Sequence, residues 1–143
     1  MQGSVWERSY RNCDFDAYFE PAKGFDPDII ICLISENISN DDFDAEVFIE
    51  QFHRLHKYLS GNNENTRIIV ASNFFNNEQK TEAIRDYAKK YGAEFVYVSE
   101  LIKDESNLAS GYEHEGIKIH PGDKGMAIIA KRFIDALNIC TER

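Results

Sequence analysis

Asp28-Ile29-Ile30-Ile31-Cys32-Leu33-Ile34-Ser35-Glu36-Asn37 is an unbroken apolar, largely β-branched run between an aspartate and a polar turn. It is too short for a buried helix, and it lacks the alternation of a half-exposed strand. It therefore reads as a central strand covered on both faces, the kind found in parallel sheets. Downstream, residues 35–42 are a polar loop. Phe48, Phe52, Leu55 and Leu59 then recur at helical spacing until Ser60-Gly61-Asn62 ends the run. The acidic run Asn40-Asp41-Asp42-Phe43-Asp44 is placed to cap and charge the first turn of that helix.

The unit repeats. Arg67-Ile68-Ile69-Val70-Ala71-Ser72 reads as a strand and residues 73–77 as a loop, followed by a helix carrying Ala83, Ile84, Tyr87, Ala88 and Tyr91 and closed by Gly92 at its C′ position. Glu94-Phe95-Val96-Tyr97-Val98-Ser99 is a third strand. Residues 100–115 form a long loop with one helical turn, and a last helix turns Met126, Ile129, Phe133 and Leu137 inward. Residues 1–27 are an irregular or short-helical lead-in in which Trp6 and Tyr10 pack. Strand alternating with helix predicts an α/β fold with a parallel sheet, helices on both faces and right-handed crossovers. One domain spans residues 1–143, its α/β core being residues 28–143.

Composition narrows the function classes. Sixteen Lys and Arg against 25 Asp and Glu give a net charge of -9, which repels phosphate backbones and anionic membrane surfaces. Neither nucleic acid nor membrane is an expected partner. No apolar run approaches the roughly 18 residues of a membrane-spanning helix, and the first residues lack the basic start and apolar core of a signal peptide. As written, the chain reads as cytoplasmic. Cys13, Cys32 and Cys140 are odd in number and lack a Cys-x-x-Cys pair, so they read as reduced thiols, with Cys32 in the core.

In such sheets, ligands bind beyond the C-terminal ends of the strands. The loops Ser35-Glu36-Asn37-Ile38 and Ser72-Asn73-Phe74-Phe75 share that rim, and residues 112–125 can fold back onto it. Asn37 offers an amide donor for a developing oxyanion. His120, in His120-Pro121-Gly122-Asp123-Lys124-Gly125-Met126, offers a general base. Taken singly, Asn37 is a turn residue, His120 a helix-start residue with Pro121 near the first helical position, and Glu36 an exposed or interface acid.

Together these two blocks resemble the third and fifth sequence blocks of the SGNH, or GDSL-like, hydrolases, and the resemblance covers roughly residues 25–138. It implies a three-layer α/β/α flavodoxin-like parallel sheet, truncated at the N-terminus. It also implies an ester hydrolase acting on small O-acyl or acetyl esters, including acetylated carbohydrate, with no cofactor. Asn37 matches the oxyanion asparagine and His120 the catalytic base, while Ser35 stands where the family has glycine. Gly3 aligns with the family's second-block glycine, which contributes a backbone donor. The Gly-Asp-Ser nucleophile block has no counterpart in this chain, and the acid three residues before the histidine is Ile117. Glu113 or Glu115 is left to orient the imidazole, or the site is a Ser-His dyad. Ser4 follows no strand, so the strained turn that exposes a nucleophile is not available to it. The expectation is therefore a hydrolase-like chain without turnover of its own, the alternative being a non-catalytic α/β binding or interaction module.

Two histidine groups read more plainly. His53 and His56 are three apart with no further ligand, which predicts a solvated helix face. His114 with Glu113, Glu115 and His120 is a weak candidate metal cluster, and no metal is assigned. In the family's fold the first strand lies beside the one at residues 28–35. Without it an apolar edge is uncovered and invites pairing, so a homodimer through that edge is expected.

Overall fold

The computed structural model describes the chain over residues 3–139 and its side chains over residues 4–138; Cys140 lies outside the described residues. Strands β1 (Ile29–Cys32), β2 (Arg67–Ala71) and β3 (Glu94–Val96) form a parallel sheet in the order β1-β2-β3. Ile29 is in register with Arg67, and Ile69 with Glu94. Helix α3 (Ala45–Ser60) joins β1 to β2, α4 (Glu78–Tyr91) joins β2 to β3, and α6 (Asp123–Ile139) follows the sheet. Shorter helices are α1 (Gly3–Ser9), α2 (Phe15–Phe19) and α5 (Glu115–Lys118). The fold is mixed α/β around a small parallel sheet.

Local chemistry sets the element ends. Asp44 accepts from the Val47 amide and Asn77 from the Lys80 amide, each capping the helix that follows. Gly92 takes a left-handed conformation (φ 71°) and its N–H donates to Ala88, ending α4. The lead-in is helical because α1 anchors itself: Trp6 is buried against Phe48 and Phe52, and the Tyr10 hydroxyl donates to the Asp42 carbonyl while accepting from the Asp44 amide.

Two strands are shorter than their apolar runs. β1 stops at Cys32, after which the Ser35 and Asn37 amides turn to a side chain. β3 stops at Val96, because the Val98 and Ser99 amides donate to the Ser72 hydroxyl rather than to a strand. The last helix begins at Asp123, so Pro121 is not its first residue; Pro121 instead bridges Leu108.

Alternation along the strands feeds two apolar clusters. Ile30, Cys32, Ile68 and Val70 pack with the α3 and α4 residues Phe52, Leu55, Ile84 and Tyr87. Leu33, Ile69, Ala71 and Val96 pack with Ile129 and Phe133 of α6. Among the described residues, β1 pairs only with β2. Ile29 and Ile31 remain 41% and 49% exposed. Among those same residues no helix is long and apolar enough to cross a membrane.

Candidate functional site

The loop after β1 is built on a buried carboxylate. Glu7 is only 4% exposed. Its Oε1 accepts from the Ser35 amide at 2.6 Å and the Asn37 amide at 3.2 Å, and its Oε2 accepts from Asn37 Nδ2 at 2.7 Å. Three converging N–H donors are the equipment that stabilises a developing oxyanion. Here they hold the chain's own Glu7.

Ser35 completes the turn with φ 130°, a region that glycine enters far more easily than serine. Its hydroxyl accepts from Asn73 Nδ2 at 2.9 Å, tying the loop after β1 to the loop after β2. The neighbouring Glu36 is not an exposed acid. Its Oε1 accepts from the Phe74 amide at 2.9 Å, and burial raises its carboxyl above the usual range despite that hydrogen bond. Lys80 is buried and donates to the Ile38 carbonyl; burial lowers its ammonium, opposed by Glu36 and Glu7.

The serines nearest the rim are committed to structure. Ser72 Oγ accepts from two amides, and Ser99 Oγ lies 2.6 Å from the Asn73 carbonyl. Both are buried.

His120 is exposed, and its ring meets the Phe75 ring edge-on at 5.3 Å. Its amide donates to the Ile117 carbonyl and its carbonyl accepts from Ala109. The neighbouring glycines serve close packing. A Cβ at Gly122 would stand 2.6 Å from the Leu108 carbonyl oxygen, and one at Gly125 would collide with the Asn107 carbonyl. Of the candidate orienting acids, Glu115 pairs with Lys118 at 2.6 Å, and both Glu113 and Glu115 are exposed. His114 caps α5 by accepting from the Gly116 amide.

The rim thus brings the three loops together in a chain of contacts from Asn37 and Glu36 through Phe74 and Phe75 to His120. Asn37 and His120 nevertheless serve different surfaces. Asn37 lines a cavity of about 500 Å³ with Glu7 and Asp42. Phe75, the ring neighbour of His120, lines another of about 460 Å³ with Glu36, Asn73, Asn77 and Lys80. Among the described residues, no group of three or more His, Cys, Asp or Glu is placed to hold a metal ion.

Two residues escape a reading from pattern alone. Glu7 lies in an aperiodic lead-in and acts across 28 positions of sequence; its one signal is its place beside the fully buried Trp6. His56 does not lie on a solvated face. It is 0% exposed, its Nδ1 stands 2.7 Å from the Tyr87 hydroxyl, and desolvation lowers its imidazole to about 3. The signal was present, since His56 falls four residues after Phe52 on the buried stripe. His53 stacks on Tyr91 at 3.8 Å.

No family model, curated protein or solved structure matches the chain.

Proposed function

We propose that the chain is an SGNH-like domain that works as a binding and interaction module rather than as an ester hydrolase. On this reading its sheet is part of a three-layer α/β/α flavodoxin-like arrangement, with Asn37 and His120 inherited from an esterase rim. The observation that carries the reading is the Glu7 carboxylate seated on the Ser35 and Asn37 amides and the Asn37 side chain. A fixed anion at those donors repels the oxyanion they would otherwise stabilise.

The ester-hydrolase reading, for small O-acyl or acetyl esters with His120 as general base and Asn37 as oxyanion donor, is favoured by one observation. His120 meets Phe75, which lines the polar cavity of Glu36 and Asn73. That reading requires a serine delivered along the open edge of β1.

The test is hydrolysis of an activated acetyl ester by the wild-type chain and by His120→Ala. The module reading expects the two rates to coincide. Robust turnover lost in His120→Ala would overturn it.

A further inference from the structure

Two unfilled apolar surfaces of different shape meet at β1. The first is its edge. Arg67 N–H donates to the Asp28 carbonyl, and the strands are parallel and in register, so the backbone groups of Ile30 and Cys32 serve β2 while those of Ile29 and Ile31 point the other way. Beside this edge runs a trough of about 670 Å³ lined by Phe19, Phe25, Leu55, Leu59 and the length of β1, Ile29 and Ile31 included.

The second surface is the opposite face of β1, where Ile29 and Ile31 are uncovered. A flank of α6 borders it. Ile129, Phe133 and Ala136 face the sheet, and Arg132 reaches to the Tyr97 carbonyl and to Glu100, on the β3 side. At helical spacing the opposite flank carries Met126, Ala130 and Ile134, all exposed, with Met126 at 51% and Ile134 at 54%. By helical spacing that flank lies on the side of α6 away from Arg132 and β3, so a segment laid on Ile29 and Ile31 would meet it as an apolar wall.

Resting on the interaction-module reading, we infer that this double surface takes a strand-plus-helix segment of a partner polypeptide. Its strand is an apolar run that extends the sheet beyond β1, and its helix is amphipathic, seated on Ile29 and Ile31 against Met126 and Ile134. Basic residues flank the run. The strand would be covered on both faces, which calls for a continuous apolar run rather than an alternating one. Sheet extension through main-chain hydrogen bonds supplies the affinity and the pockets supply the selectivity.

A second copy fits less well, for two reasons. Antiparallel pairing of β1 with its copy would set the two α6 helices roughly 19 Å apart at the usual strand spacing, about twice the 8–10 Å of packed helices. Both α6 walls would stay uncovered. That pairing would also bring the acidic segment of Asp26 and Asp28 of each copy against a second chain of the same net charge of -9. A basic-flanked partner meets the same acids with the opposite sign.

The test uses the full chain and a fluorescent synthetic peptide made of a lysine-flanked Val/Ile strand continuing into a Leu/Lys amphipathic helix. Its binding is read by anisotropy, and the chain's mass is read by light scattering. The expected result is saturable 1:1 binding, weakened at least about tenfold by Ile31→Lys, by Ile134→Asp, and when the peptide's helix half is removed, with both variants keeping the wild-type circular dichroism. Absence of saturation, or binding indifferent to both substitutions, overturns the inference. So does a stable dimer, broken by Ile31→Lys, that the peptide fails to dissociate. None of these outcomes depends on ester turnover, which tests the module reading separately.

Discussion

Ser35 sets two opposing terms against each other. Its φ of 130° costs a non-glycine residue about 1–3 kcal/mol, while its buried hydroxyl gives the Asn73 amide an acceptor worth about 1 kcal/mol. Ser35→Gly relieves the strain but, like alanine, orphans the Asn73 amide. Two terms of about 1–3 kcal/mol each then oppose one another, and stability measured by urea titration should change by less than about 2 kcal/mol in either direction. Ser35→Ala keeps the strain and orphans the amide, so it should destabilise by about 1–3 kcal/mol. The glycine variant should therefore be the more stable of the two, the reverse of the order for an ordinary exposed loop serine. A glycine at position 35 would meet this backbone without the strain that serine carries. Glu7 offered no such handle, because an acid in an unpatterned segment looks like surface until the loop it binds is in place.

Helices α3 and α4 are joined by the buried contact of His56 with Tyr87, which makes their packing sensitive to acid. The folded chain keeps this imidazole neutral, with desolvation lowering it from 6.5 to about 3. Below pH 6.5 the unfolded chain takes up a proton that the folded chain refuses. Stability due to this group is therefore complete above that pH and is lost progressively as pH falls toward 3. Between pH 7 and pH 5 the loss is about 2 kcal/mol. Glu36 acts in the other direction, since its raised carboxyl favours the folded state on protonation. The comparison with His56→Gln, which removes the titration and keeps a polar partner for Tyr87, isolates the histidine. Denaturation at the two pH values should show a steeper loss in wild type than in His56→Gln; equal losses would contradict the buried neutral imidazole.

Helical elements were the most legible part of the sequence. Phe48, Phe52, Leu55 and Leu59 marked the buried face of α3, and Gly92 marked the end of α4 with its left-handed turn. Strand ends were less so, because the apolar run from Ile29 continues through Ile34 while pairing stops at Cys32. Beyond that end the Ser35 and Asn37 amides turn to the Glu7 carboxylate, a contact made only once the chain has folded. Strand order points the loops of Asn37 and His120 toward one rim, but the two residues serve different surfaces there. Their partners, Glu7 and Phe75, followed from tertiary packing alone.

At the scale of the whole molecule, the sheet is open along the outer side of β1 among the described residues. With β2 on only one flank, the four residues of β1 should differ in amide exchange by the direction in which their N–H groups point. The most direct measurement is residue-resolved hydrogen exchange along β1 in the free chain at micromolar concentration. Slow exchange is expected at Ile30 and Cys32, whose backbone groups face β2, and fast exchange at Ile29 and Ile31. Uniformly slow exchange across all four amides would show the edge already covered and would contradict an open docking surface.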